Sequence, residues 1–172
     1  MRTLTIMLVG SVIVAGLQPS LDKELQANLR LLFPAATSFS PKEGNPPHFK
    51  AYKTEQITNE RTHIGFIFWT TELEPLERGY DGPIKILVGM DTAGVLTGIV
   101  VVEHNEPYGN FSVDPPEFAL QFIQKSIRDG FKVGADIDAV SRATVTVRSS
   151  SRAIRNGSRR MARQFLTPDA VK

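Results

Sequence analysis

The sequence predicts an α+β domain, a mostly antiparallel sheet with flanking helices, preceded by an N-terminal hydrophobic segment. Three observations lead there. One amphipathic helical stretch comes early, several runs of β-branched and aromatic residues follow, and two helical stretches close the chain, an order unlike the strand–helix alternation of doubly wound sheets. The turn Asp91-Thr92-Ala93-Gly94 between two apolar runs has the Asp and Gly chemistry of a hairpin. The 172 residues, 41% hydrophobic and 22% charged, suit one domain with a real core.

Taken in order, Met1-Arg2 is a short positive start and Leu4 to Leu17 an uncharged, mainly apolar run, with small residues at Val14-Ala15-Gly16. As a helix that run spans roughly 21 Å, or about 27 Å if extended to Leu21, against a hydrocarbon core of roughly 30 Å. Residues 1–19 are therefore expected to be a signal peptide or a membrane anchor, with the anchor favoured. Either way Arg2 stays on the cytoplasmic side and the domain, residues 20–167, is exported to the periplasmic face of the inner membrane.

Ser20 can cap a helix whose stripe is Leu21, Leu25, Leu29, Leu32 and Phe33, and Pro34 ends it. A turn-rich connector runs to Pro47. Strands are expected at 48–52, 62–71, 84–90 and 95–103. A helix is expected over 115–127, with Phe118, Phe122 and Ile123 on one face. Residues 136–140 lead into a last helix from about Val145 to Phe165, followed by Pro168.

Cysteine is absent, which excludes disulfides, Cys-ligated zinc, iron–sulfur clusters and a thiol nucleophile. Net charge is +2 but unevenly placed. Arg142, Arg148, Arg152, Arg155, Arg159, Arg160 and Arg163 fall in a stretch without Asp or Glu, whereas the middle of the chain is acidic. Five of these arginines (148, 152, 155, 159, 163) form one helical stripe. It is either a solvated face or a docking face for anionic lipid or an acidic partner. No nucleic-acid motif, Gly-x-Ser-x-Gly, His-Glu-x-x-His or Walker loop is present, and no catalytic residue is assigned.

Three segments carry chemistry. The first is Asp138-Ala139-Val140-Ser141-Arg142-Ala143-Thr144-Val145-Thr146. Hydroxyls, an arginine and the free N–H groups of a helix start can converge there on one anion, or the cluster can be a plain N-cap. The second is Gly79-Tyr80-Asp81-Gly82-Pro83-Ile84, which is either a close-approach loop with a stacking Tyr or a simple turn before a strand. The third is Glu103-His104-Asn105-Glu106-Pro107-Tyr108-Gly109. There His104 and Glu106 share a strand face, and a metal site is disfavoured for lack of a second ligand set.

These segments, with Leu32-Phe33-Pro34-Ala35-Ala36 and Pro41-Lys42-Glu43-Gly44-Asn45-Pro46-Pro47, resemble the phosphothreonyl-flavin type of FMN-binding domain. The likeness is strongest to the exported domain of regulators that support nitrous-oxide reductase, and extends to flavin subunits of sodium-pumping quinone reductases and their relatives. That family pattern is Asp-x-x-Ser/Thr-Gly-Ala-Thr, with FMN attached through phosphate to the final Thr, here Thr144. Asp138, Ser141, Ala143 and Thr144 match, while Arg142 stands where the pattern has Gly. The resemblance implies FMN as cofactor, covalent through Thr144 where Arg142 permits it. It implies phosphate contacts from Ser141, Arg142, Ala143, Thr144 and Thr146, and Gly79, Tyr80, His104 and Glu106 around the ring. The implied function is electron relay with an integral membrane redox complex or other protein subunits. The other reading is a flavin-free accessory subunit that docks on a respiratory or photosynthetic complex through its fold and basic C-terminal helix.

Overall fold

The computed structural model describes residues 23–166. The expected signal or anchor at 1–19, the Ser20 cap and Pro168 lie outside these residues. Within them, α1 (Lys23–Leu32) precedes β1 (Ser38–Phe39), β2 (Phe49–Thr54) and β3 (Arg61–Trp69). A single turn, α2 (Thr70–Leu73), separates β3 from β4 (Lys85–Asp91) and β5 (Leu96–Glu103). Two short helices, α3 (Gly109–Ser112) and α4 (Pro116–Leu120), lead to the long α5 (Thr144–Phe165). The five strands form an antiparallel meander in the order β1-β2-β3-β4-β5. The α+β class read from the sequence is thus the observed one.

Both faces of the sheet are covered, so β3 and β4 read as nearly continuous apolar runs instead of a clean alternation. On one face Ile67, Leu87, Phe49 and Ala51 pack under Leu29, Leu32 and Phe33 of α1 and its end. Burial of each of the large side chains contributes about 2 kcal/mol. On the other face Phe66, Phe68, Ile86, Val88 and Met90 meet Val147, Ile154 and Met161, the apolar stripe of α5. Gly157 lets this helix settle close on the sheet: a Cβ there would come 3.0 Å from Phe68 Cε2.

The β4–β5 hairpin closes as its turn chemistry predicts. Asp91 Oδ1 accepts the N–H groups of Ala93 and Val95 at 2.9 and 2.8 Å, and Gly94 takes φ +80. Two expected elements differ. The strand over 62–71 stops at Trp69 because the Thr70 hydroxyl accepts from Ile86 N–H (3.1 Å) and donates to Ile84 O (3.2 Å), which turns the chain into α2. The helix over 115–127 stops at Leu120. Gln124 takes φ +65, and the backbone of 124–125 hydrogen-bonds Leu96 at 2.9 and 2.8 Å, extending the sheet edge instead of the helix. Phe118 and Phe122 are buried as expected, but Ile123 is 44% exposed.

Candidate functional site

The site begins with one carboxylate. Glu106 follows β5 and is buried. Its two oxygens accept the backbone N–H groups of Tyr80 and Asp81, each at 2.9 Å, and the hydroxyl of Thr146. Segments separated by more than twenty residues on one side and by forty on the other are therefore tied through a single side chain. Burial works against ionisation of Glu106. The hydrogen bonds from Thr146, Tyr80 and Asp81 and the nearby His104 outweigh it and hold the carboxyl below its ordinary range. Gly79 is needed for this approach: a Cβ there would fall 2.2 Å from Glu106 Oε1.

His104 supports the bend that presents Glu106. The Glu106 backbone N–H donates to His104 Nδ1 at 3.0 Å, which leaves the ring proton on Nε2, where it reaches Asp114 Oδ1 at 2.7 Å. The imidazole lies over Gly109, whose missing Cβ would sit 2.0 Å from Cε1. Gly109→Ala is accordingly expected to push the ring off Asp114 and cost about 1–2 kcal/mol, read as a lower Tm in thermal melts.

The helix start is the third part. Ala143 is the N-cap of α5, with φ −119 and ψ 22, and offers no side-chain acceptor. The first ladder bond runs from Val147 N–H to Ala143 O at 3.0 Å. The N–H groups of Thr144, Val145 and Thr146 precede that ladder, and a 22-residue helix places the positive end of its dipole there. Arg142 occupies the left-handed region at φ +68, a conformation that costs an L side chain about 1–2 kcal/mol and a glycine little.

A cleft of about 300 Å³ opens at this helix start, lined by Tyr80, Pro107, Tyr108, Arg142, Ala143, Thr144, Val145 and Thr146. Of the residues singled out in the sequence, Arg142, Ala143, Thr144, Thr146 and Tyr80 meet there. Gly79, Ser141, His104 and Glu106 are outside the lining. Ser141 is exposed, and the other three form the bracket that holds the walls. Pro107, Tyr108 and Val145 join the cleft without having been chosen. The available signal was Val145, apolar yet out of phase with the buried stripe Val147, Ile154 and Met161, and 53% exposed. No group of residues able to hold a metal ion exists among the described residues.

The arginine stripe is largely spent inside the domain. Arg152 makes a forked contact to Glu77 at 3.0–3.1 Å, and Arg155 reaches Gly130 O. Arg159 donates to Ile127 O and Asp129 O at 2.8 and 2.9 Å. Beside the stripe, Arg160 donates to Leu73 O. These arginines anchor α5 to the loops before it. No helix among the described residues is long and apolar enough to cross a membrane.

The family model of the FMN-binding domain matches residues 79–158, a span that starts at the glycine under Glu106 and includes the helix start of the cleft. The G subunit of the ion-translocating oxidoreductase complex from Vibrio vulnificus (strain YJ016) is 34% identical over 88 residues, 45% of this chain and 42% of that protein. The corresponding proteins of Vibrio parahaemolyticus serotype O3:K6 (strain RIMD 2210633) and Shewanella baltica (strain OS223) are 32% and 30% identical over 88 residues, with the same coverage. The aligned part thus spans 42% of the length of these relatives. Residues 79–158 thus match the FMN-binding domain family, and the chain is distantly similar, over 88 residues, to the G subunit of the ion-translocating oxidoreductase complex.

Proposed function

We propose that this chain holds FMN in the cleft at the start of α5 and passes electrons to or from a membrane-bound oxidoreductase complex to which it belongs. The observation that carries the reading is the helix start itself: the three residues whose N–H groups precede the helical ladder line a cleft that also has aromatic walls. This donor set fits a flavin. Thr144, the residue that carries the phosphoester in the family pattern, stands at the first helical position, half-buried and lining the cleft. Its amide, those of Val145 and Thr146, and Arg142 supply the donors a phosphate needs. Tyr80, Pro107 and Tyr108 supply apolar and aromatic surface for a flat ring.

When bound, FMN supplies the redox chemistry. The chain's own residues bind and orient it. Glu106 fixes the Gly79–Gly82 loop against the helix start, and His104 fixes Glu106. At about 300 Å³ the cleft is at the lower end of small-ligand sites. We place the domain on the exported, periplasmic side of the membrane, held by residues 1–19.

The test is direct. The purified full chain is expected to be yellow and to carry flavin absorbance, and Thr144→Val is expected to weaken flavin retention about tenfold. Colourless protein that binds no added FMN would instead make the chain an accessory subunit that keeps the fold alone, a reading favoured only by Arg142 at the glycine position of the motif.

A further inference from the structure

Arg142 is the one arginine of this stretch that lines the cleft; Arg148 and Arg163 are exposed like it but lie outside the lining. Arg152, Arg155, Arg159 and Arg160 all have acceptors within the domain. Arg142 is exposed, lines the cleft, and makes no hydrogen bond or ion pair among the described residues. It is a cation lining the cleft at the position where the Asp-x-x-Ser/Thr-Gly-Ala-Thr pattern has glycine.

The charges around it show what such a cation does. Glu106 is held ionised close to the helix start, with Thr146 between them. A terminal phosphate monoester carries a charge of roughly −1.5 to −2 at neutral pH. The helix end offers only about half a positive charge. With Glu106 nearby, a free phosphate monoester at this cleft leaves an uncompensated negative charge unless a cation joins it. A phosphate esterified to a threonine carries one charge and needs less. A guanidinium also presents paired donors that match two oxygens of a terminal phosphate.

We infer that Arg142 makes this cleft a receptor for the free phosphate monoester of FMN, bound without a covalent link to Thr144, and that it sets the preference for FMN over flavin lacking the phosphate. The inference rests on the flavin reading above. It converts the motif from an attachment point into a reversible, charge-selective site.

Flavin titrations of the full chain, followed by fluorescence quenching, test it, with FMN and riboflavin as the two probes. Wild type is expected to bind FMN at least about tenfold more tightly than riboflavin. Arg142→Ala is expected to lose most of that preference by weakening FMN far more than riboflavin, and Arg142→Lys to keep part of it. Arg142→Gly serves as the folding control: it suits φ +68, so it is expected to melt no lower than wild type while losing the same preference. Two results would overturn the assignment. One is an FMN affinity unchanged in both Arg142→Ala and Arg142→Gly. The other is wild-type protein, produced together with a flavin transferase, that keeps its flavin through denaturation on the peptide containing Thr144. Failure of wild type to bind either flavin is a different outcome, and removes the flavin reading itself.

Discussion

Glu106→Ala is expected to cost about 3 kcal/mol, close to 10 °C in Tm, and to abolish flavin binding together with it. Three donors lose their acceptor at once: the N–H groups of Tyr80 and Asp81 and the Thr146 hydroxyl. The Gly79–Gly82 loop then has no anchor to the helix start, so both walls of the cleft drift. The sign of the pH dependence follows from the lowered carboxyl pKa. A carboxylate held below its unfolded value stabilises the fold above that value, and the stabilisation is lost as pH falls through the folded one. Wild type should therefore lose Tm on acidification faster than Glu106→Gln, whose side chain does not titrate. Equal acid slopes in the two proteins would show that the bracket does not depend on ionisation.

Gly65→Ala is expected to be as damaging, roughly 3 kcal/mol, with no loss of chemistry from the site. Gly65 lies in β3 beneath the end of α1. A Cβ there would sit 2.4 Å from Phe33 Cζ and 2.6 Å from Met90 O. The ring can rotate away, but the carbonyl belongs to the neighbouring strand and cannot yield without breaking the β3–β4 ladder. A second change, Phe33→Leu, should recover only the part due to the ring. Thermal melts of the single and double variants separate the two contributions. Full recovery by Phe33→Leu would show that the strand carbonyl is not the obstacle.

The elements legible in the sequence were those built by local signals. Asp91 and Gly94 announce the hairpin because one side chain caps its own turn. The stripe Val147, Ile154 and Met161 announces α5 because one face of it is buried. The segment after Leu120 misled because Phe118, Phe122 and Ile123 keep a helical phase while the backbone at Gln124 is claimed by Leu96. That competition is tertiary, and no local pattern records it. The cleft was legible in part for the same reason. Arg142, Thr144 and Tyr80 could be chosen by type and by likeness to a motif. The bracketing role of Glu106 could not, since Tyr80, Asp81 and Thr146 lie 25 to 40 residues away and only the folded sheet brings them within reach. The arginine periodicity was plain, but its acceptors are mostly loop carbonyls, which a sequence does not display.

The meander has a practical corollary for anyone who would move this cleft to another protein. The matched span, 79–158, includes β4 and β5 but leaves out β3, the other neighbour of β4, and the whole of α1. Cut out alone, it would bare one flank and one side of its central ribbon to water, and it would end before Met161 seals the opposite side. A workable graft must therefore start upstream of Lys23 and run past Phe165, about twice the recognisable module.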